Sequence, residues 1–426
     1  NININGNGIL VFNINSNGTF TNDFVINSSA GSTYTLGNVV DNTFRYTGSA
    51  SLAGNGSFIY GKNSAVLLDI GSVISAVENN VVGISMEGQY NGSLPSGFQS
   101  GVDAENKGDI TLTGSNSAGI YAENSSRVKN SGNITVGNNS AGISTKGTAS
   151  SAVNSGTISI GEISTGIYGS ESSFAENTAD GKILSNASET AGIYMDGSAT
   201  AQLVNNGLVE LNGDKSRGIY VKGNGVKTIT NNGTVKIGNS SDINNPGIGI
   251  YSTASGNTIL NSGNILTGNN SVGIYADGGT INQSGLIMTG SSGTGIYGNR
   301  ANIVLNAGSE INVGNDKAAG IYALNGTSII SNGKLTAGEN SYGYALKSGS
   351  ALENNSEIIL KNNSVFVYGD SAGNIKNNAG ITMDGSDITG FYTVNGGNIE
   401  NNGNINGASG TANIGIYSQN RTVRNT

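Results

Sequence analysis

Apolar and polar residues alternate in short runs along most of the chain. In Ile134-Thr135-Val136, Val209-Glu210-Leu211 and Val235-Lys236-Ile237 the outer residues are apolar and the middle one is polar. Period two marks a strand with one buried face. Gly, Asn and Ser bound each run, so the strands are short and the corners tight.

The runs recur at a fixed spacing. Gly-Ile-Tyr stands at Gly119-Ile120-Tyr121, Gly166-Ile167-Tyr168, Gly192-Ile193-Tyr194 and Gly218-Ile219-Tyr220, with the variant Gly142-Ile143-Ser144. It continues at Gly249, Gly273, Gly295 and Gly320, degenerates at Gly343-Tyr344, and returns by Gly415-Ile416-Tyr417. A second motif keeps step: Asn, small residues including Gly, then an aliphatic residue, as in Asn130-Ser131-Gly132-Asn133-Ile134. Another apolar residue precedes the marker Asn by two, for example Val128, Ile229 and Val304. By the same alternation the Asn points inward.

Each unit of about 24–25 residues therefore holds three strands and three corners. Strands this short bury no face alone; stacked coil on coil they complete each other's burial. The expected fold is all-β, a right-handed single-stranded parallel β-helix with three sides. Residues 83–426 carry the regular repeats. Residues 1–82 lack the markers and are expected to form irregular coils of the same solenoid. Val423-Arg424-Asn425-Thr426 begins another coil, so a segment truncated from a longer protein is expected.

An inward Asn is costly unless its amide is hydrogen-bonded. The stack predicts a structural ladder through Asn106, Asn130, Asn154, Asn205, Asn231, Asn261, Asn306, Asn354, Asn377 and Asn401, which sets coil register. The Gly after each marker Asn is expected at positive φ. Pro95 and Pro246 fall in the two overlong corners, where a missing donor does not interrupt a sheet. Two loops should project there, roughly Gly88–Gly101 and Asn239–Gly247.

Composition narrows the chemistry. Of 426 residues, 68 are Gly, and there is no Cys, His or Trp. That removes disulfides, thiolate or imidazole metal sites and a His general base. A net charge of −8 argues against nucleic acid. No apolar run is long enough for a membrane helix. Gly369-Asp370-Ser371-Ala372-Gly373 resembles a nucleophile elbow but has no His to serve it, and the acids are scattered. No catalytic residue, metal or cofactor is expected, and the protein is expected not to be an enzyme.

What remains is surface. If Ile of Gly-Ile-Tyr is inward, Tyr is outward, and Tyr168, Tyr194, Tyr220 and Tyr251 belong to a file interrupted at Ser144. Either the rings form a platform for sugar rings or protein partners, or they only shield the sheet. Tyr90 and Phe98 on the first loop, with Asp242 and Pro246 on the second, complete the candidate partner-binding residues.

The tandem Asn-Ser-Gly-x-Ile and Gly-Ile-Tyr units resemble type V autotransporter passenger domains, most of all very large fusobacterial outer-membrane adhesins. The resemblance covers residues 83–426 well and the first 82 weakly. It implies a surface-displayed adhesin segment, extracellular and outer-membrane anchored. The anchor would be a C-terminal β-barrel missing here, with no membrane span in this segment. The partner would be a host cell-surface glycan or protein receptor, or partner bacteria. A passive spacer of a larger autotransporter is the alternative, and a polysaccharide-active β-helix enzyme comes after it.

Overall fold

A computed structural model of the chain describes residues 2–4, 9–14, 18–21, 24–28, 33–419 and 421–426. The described residues are all strand, turn and bend, with no helix. The chain divides into two compact units, Asn1–Leu211 and Asn212–Thr426. Each is the three-sided parallel β-helix that the repeat predicts.

One coil of the first unit shows why. Ala118–Glu123 carries Gly-Ile-Tyr, Arg127–Asn130 ends on the marker Asn, and Asn133–Val136 follows the corner. Each strand pairs in parallel with its equivalent in the next coil. Ile120 lies over Ile143 and Ile143 over Ile167; Ile134 lies over Ile158. These isoleucines are fully buried. In the second unit Ile250, Ile274, Ile296 and Ile321 form the corresponding file. A buried Ile contributes about 1.5–3 kcal/mol, and it does so only because the coils above and below cover it.

The Asn ladder runs up the interior. In the first unit the Nδ2 of Asn106, Asn130, Asn154 and Asn177 donates to the Oδ1 of Asn130, Asn154, Asn177 and Asn205, at 2.8–2.9 Å. Each amide also reaches a corner carbonyl, such as Asn130 to Gly132 O at 3.1 Å. In the second unit Asn231 donates to Asn261 at 2.7 Å, and Asn354, Asn377 and Asn401 donate to Asn377, Asn401 and Asn425 at 2.7–2.8 Å.

Three expectations need correction. Asn306 is outside the ladder: the register residue is Leu305, paired with Gln283, and Asn306 Nδ2 instead donates to Ser284 Oγ at 2.8 Å. Val304 accordingly faces outward, between buried Ile303 and Leu305. The Gly after the marker Asn is not at positive φ at Gly132, Gly156 or Gly263. It is there for close approach: a Cβ on Gly156 would overlap the Gly132 carbonyl oxygen, and one on Gly263 that of Gly233. The corners stack backbone on backbone, and a side chain would pry them apart.

From residue 34 onward the early coils follow the same three-sheet plan. Their ladder positions hold Tyr46 and Leu68, in register with Asn106. Phe44, Tyr46 and Phe58 pack there, with the Tyr46 and Phe58 rings 4.7 Å apart. Asn1-Ile2-Asn3-Ile4-Asn5 lies partly outside the described residues, though Ile2–Ile4 pairs in parallel with Phe24–Ser28.

Candidate functional site

The tyrosines of the Gly-Ile-Tyr sheet form outward files in both units. In the first, the Tyr168 and Tyr194 rings are 5.2 Å apart and tilted by 51°. Tyr121 is separated from them by Ser144, which lies between it and Tyr168 in register. A shallow hollow of about 440 Å³ opens at this interruption, edged by Tyr168, Ile163, Asn116 and Asn139.

In the second unit the file is longer. Tyr220 and Tyr251 meet edge to face at 5.1 Å. Tyr251, Tyr275, Tyr297 and Tyr322 then stack in parallel, with centroids 4.7–5.5 Å apart and planes within 8°. At these spacings parallel rings lie face to face with an offset. Each inner ring therefore has both faces covered and turns its edge and hydroxyl outward. The run is capped by cations: Arg217 lies 5.2 Å from the Tyr220 ring centre, and Lys347 Nζ 5.5 Å from that of Tyr322. Burial, and next the neighbouring phenols, raise the pKa of Tyr251, Tyr275 and Tyr297, so all three stay neutral donors at physiological pH.

The file breaks after Tyr322, where Ala345 takes the register position below Tyr368. The sequence offers Tyr344 there, but Tyr344 occupies the inward Ile position. It is buried, with its hydroxyl donating to Ser331 Oγ at 2.7 Å, and burial pushes its pKa up. Tyr342 stands outward beside the gap, its ring 5.9 Å from Tyr368.

The Asn239–Gly247 loop leaves the corner just before the Ile248–Ser252 strand. Asp214 holds its base: Ser240 Oγ donates to Asp214 Oδ1 at 2.9 Å, the Ser241 N–H donates at 3.1 Å, and Ser241 Oγ donates to Oδ2. These bonds, the Ser241 hydroxyl first, hold the Asp214 pKa down at about 2. Asp242 is internal to the loop and accepts the Asn244 N–H at 2.8 Å. Ile243, at the tip, is 60% exposed.

This loop and the tyrosine file enclose a groove of about 770 Å³. Val272, Thr294 and Ala319 make its floor, and the edges of Tyr275, Tyr297 and Tyr322 one wall. Asn270, Ser292 and Lys317 line the opposite corner. Ile243 and Pro246 stand with Tyr342 and Lys347 among its remaining lining. Of the candidates, Pro246 lines this groove and Tyr251 stacks on its wall; Asp242 only shapes the loop.

The other loop belongs to the first unit and is pinned along its length. Arg127 clasps the buried Asp103 carboxylate at 2.9–3.0 Å, and Asp103 Oδ1 accepts the Tyr90 N–H at 2.9 Å. Lys107 Nζ donates to Gly97 O at 3.0 Å and Lys129 Nζ to Gln99 Oε1 at 2.9 Å. Tyr90 and Phe98 are half-buried there. Ser371 of the Gly-Asp-Ser-Ala-Gly string sits at φ 54°, with its hydroxyl 3.3 Å from Asp370 Oδ1. Among the described residues no three acids gather as metal ligands.

Sequence reasoning overlooked Asn177 and Gln283 in the interior, and the serines of the Gly-to-Gly corner. Ser140 Oγ accepts the Ser117 N–H, and Ser164 Oγ that of Ser140, both at 3.0 Å. The available signal was a serine that recurs at the same place in the corner, buried and one residue past a left-handed residue, as at Ser117, Ser140, Ser164, Ser271 and Ser341.

Among known families, the model described as BigA third pectate lyase-like domain matches residues 160–285. Comparison with curated proteins and with solved structures gives no match.

Proposed function

We propose that this chain is a β-solenoid segment of a surface-displayed bacterial adhesin, attaching the cell to host cells or to other bacteria. The observation that carries the reading is the groove where the Asn239–Gly247 loop closes on the tyrosine file. A repeat that only spaced two other domains would need neither the loop nor the latch at Asp214. The match of residues 160–285 to the BigA third pectate lyase-like domain supports a bacterial surface role.

A second reading has its own observation. The rings from Tyr251 to Tyr322 cover one another, which is what a shield over the sheet requires. On that reading the chain is a passive spacer. Beads coated with the chain decide between them. An adhesin attaches them saturably to cultured host cells or to other bacteria, in competition with free chain; a spacer leaves them unattached.

A further inference from the structure

The groove in the second unit is more selective than a sticky face. The stacked rings of its wall cover one another's faces, Lys347 lies over the last of them, Tyr322, and Tyr342 and Tyr368, which also line the groove, meet edge to face. Its apolar surface is aliphatic instead: Ile243, Pro246, Val272 and Ala319. Such surface gains by covering a bulky apolar side chain.

The polar groups have a direction. Lys317 and Lys347 both line the groove, and neither makes an ion pair among the described residues. Lys347 rests on the Tyr322 ring, and the Tyr322 hydroxyl first, with Tyr368 and Asp370 behind it, favours its charged form. Asp316, next to Lys317, is engaged by the Asn340 amide at 3.3 Å. In a chain of net charge −8, two such cations in one groove call for an anionic partner group.

The backbone sets the partner's conformation. Strands at the groove pair with coils on both sides, as Val272–Asp277 does with Ile248–Ser252 and Thr294–Asn299. No strand edge is free there, so a peptide cannot add as a further strand. The floor residues Val272, Thr294 and Ala319 lie in successive coils, so the trough crosses the strands for about 10–15 Å at ~4.8 Å per coil. An extended or polyproline-type segment of about four residues spans that length at ~3.1 Å per residue.

Resting on the adhesin reading above, we propose that this groove docks an extended segment of a partner protein. The segment carries a bulky apolar side chain against Ile243 and Pro246, and acidic side chains on Lys317 and Lys347.

The test is selection of a random peptide library on the intact chain. The expected result is enriched peptides that place an acidic residue within four positions of a bulky apolar one. A fluorescent peptide from that set should weaken tenfold or more with Ile243→Asp and with Lys317→Glu/Lys347→Glu. It should weaken as salt rises, and be unchanged by Leu260→Asp, which alters an outward residue of a different sheet. Circular dichroism and melting of each variant separate lost binding from lost fold. Three results overturn the proposal: no such consensus, peptides that bind the folded groove variants as well as the parent, or a glycan array on which the chain binds sugars through these same residues. Coated beads that still attach to cells in any of those cases leave the adhesin reading standing and remove only the peptide groove.

Discussion

Asn261 Nδ2 donates to Gln283 Oε1 at 2.8 Å, and Gln283 Nε2 donates to Gly285 O at 2.8 Å rather than to the coil beyond, where Leu305 lies. The ladder can therefore stop, provided the last amide finds a partner in its own corner. Ser331, in register with Leu305 and Asn354, accepts the Tyr344 hydroxyl, so the break is satisfied from its other side too.

Inside an unbroken stretch each amide is bonded to the coils on both sides as well as to its own corner. Asn130→Ala removes a donor to Asn154 and an acceptor from Asn106, both buried. The expected cost is about 2–6 kcal/mol at about 1–3 for each of the two groups, toward the lower end because Asn106 Nδ2 keeps Gly108 O at 3.1 Å. Hydrogen exchange should report it locally, as faster exchange in Arg127–Asn130 and Ser151–Asn154 with distant coils unchanged.

The corner glycines divide by mechanism. Gly156→Ala puts a Cβ into the Gly132 carbonyl, whereas Gly308, at φ 85°, has open space around it. Gly308→Ala should cost only the strain of a left-handed residue, about 1–2 kcal/mol. Gly156→Ala should cost clearly more, because two coils must separate. Chemical denaturation of the two variants side by side checks the order.

The loop latch has a pH signature. Asp214 titrates near 2 in the folded chain against an ordinary 3.8. A depressed carboxylate contributes its stability above its unfolded value and loses it as pH falls through the folded one. The loop should stay closed at pH 4 and release as pH falls toward 2. Pepsin should then cut near Ile243 much faster at pH 2 than at pH 4, relative to cleavage elsewhere. Asp214→Asn should be cut at both.

Tyr297 separates shield from platform. Each stacked pair contributes about 0.5–1.5 kcal/mol, so Tyr297→Ala should lose about 1–3 kcal/mol and Tyr297→Phe under 1. Bead attachment by the Phe variant, folded as the parent, tests whether the outward hydroxyl contributes to binding.

The three-strand coil was legible because alternation and the two markers recur together. What was missed has local physical causes. Asn177 was hidden because its corner is longer: its amide reaches Gly181 O, four residues on, where Asn130 reaches Gly132. Alternation through Ala175 would have found it. Gln283 keeps the carboxamide and changes only the length of its stem. Asn306 misled because it has the marker's chemistry one residue out of register, and with period two a one-residue shift reverses the face. The same shift took Tyr344 inward and opened the gap at Ala345. The groove itself needed distances between a loop and rings several coils away, which no spacing rule contains.

The central claim is that like residues of successive coils lie directly over one another. The chain has no Cys, so introduced pairs report cleanly. Thr135 is in register with Ser159, and Ser159 with Leu184 one coil further. Under mild oxidation Thr135→Cys/Ser159→Cys should form an intramolecular disulfide, its Cα atoms one strand spacing apart, about 4.8 Å. Thr135→Cys/Leu184→Cys, two spacings apart, should not. Equal cross-linking of both pairs, or of neither, would contradict the stacked register.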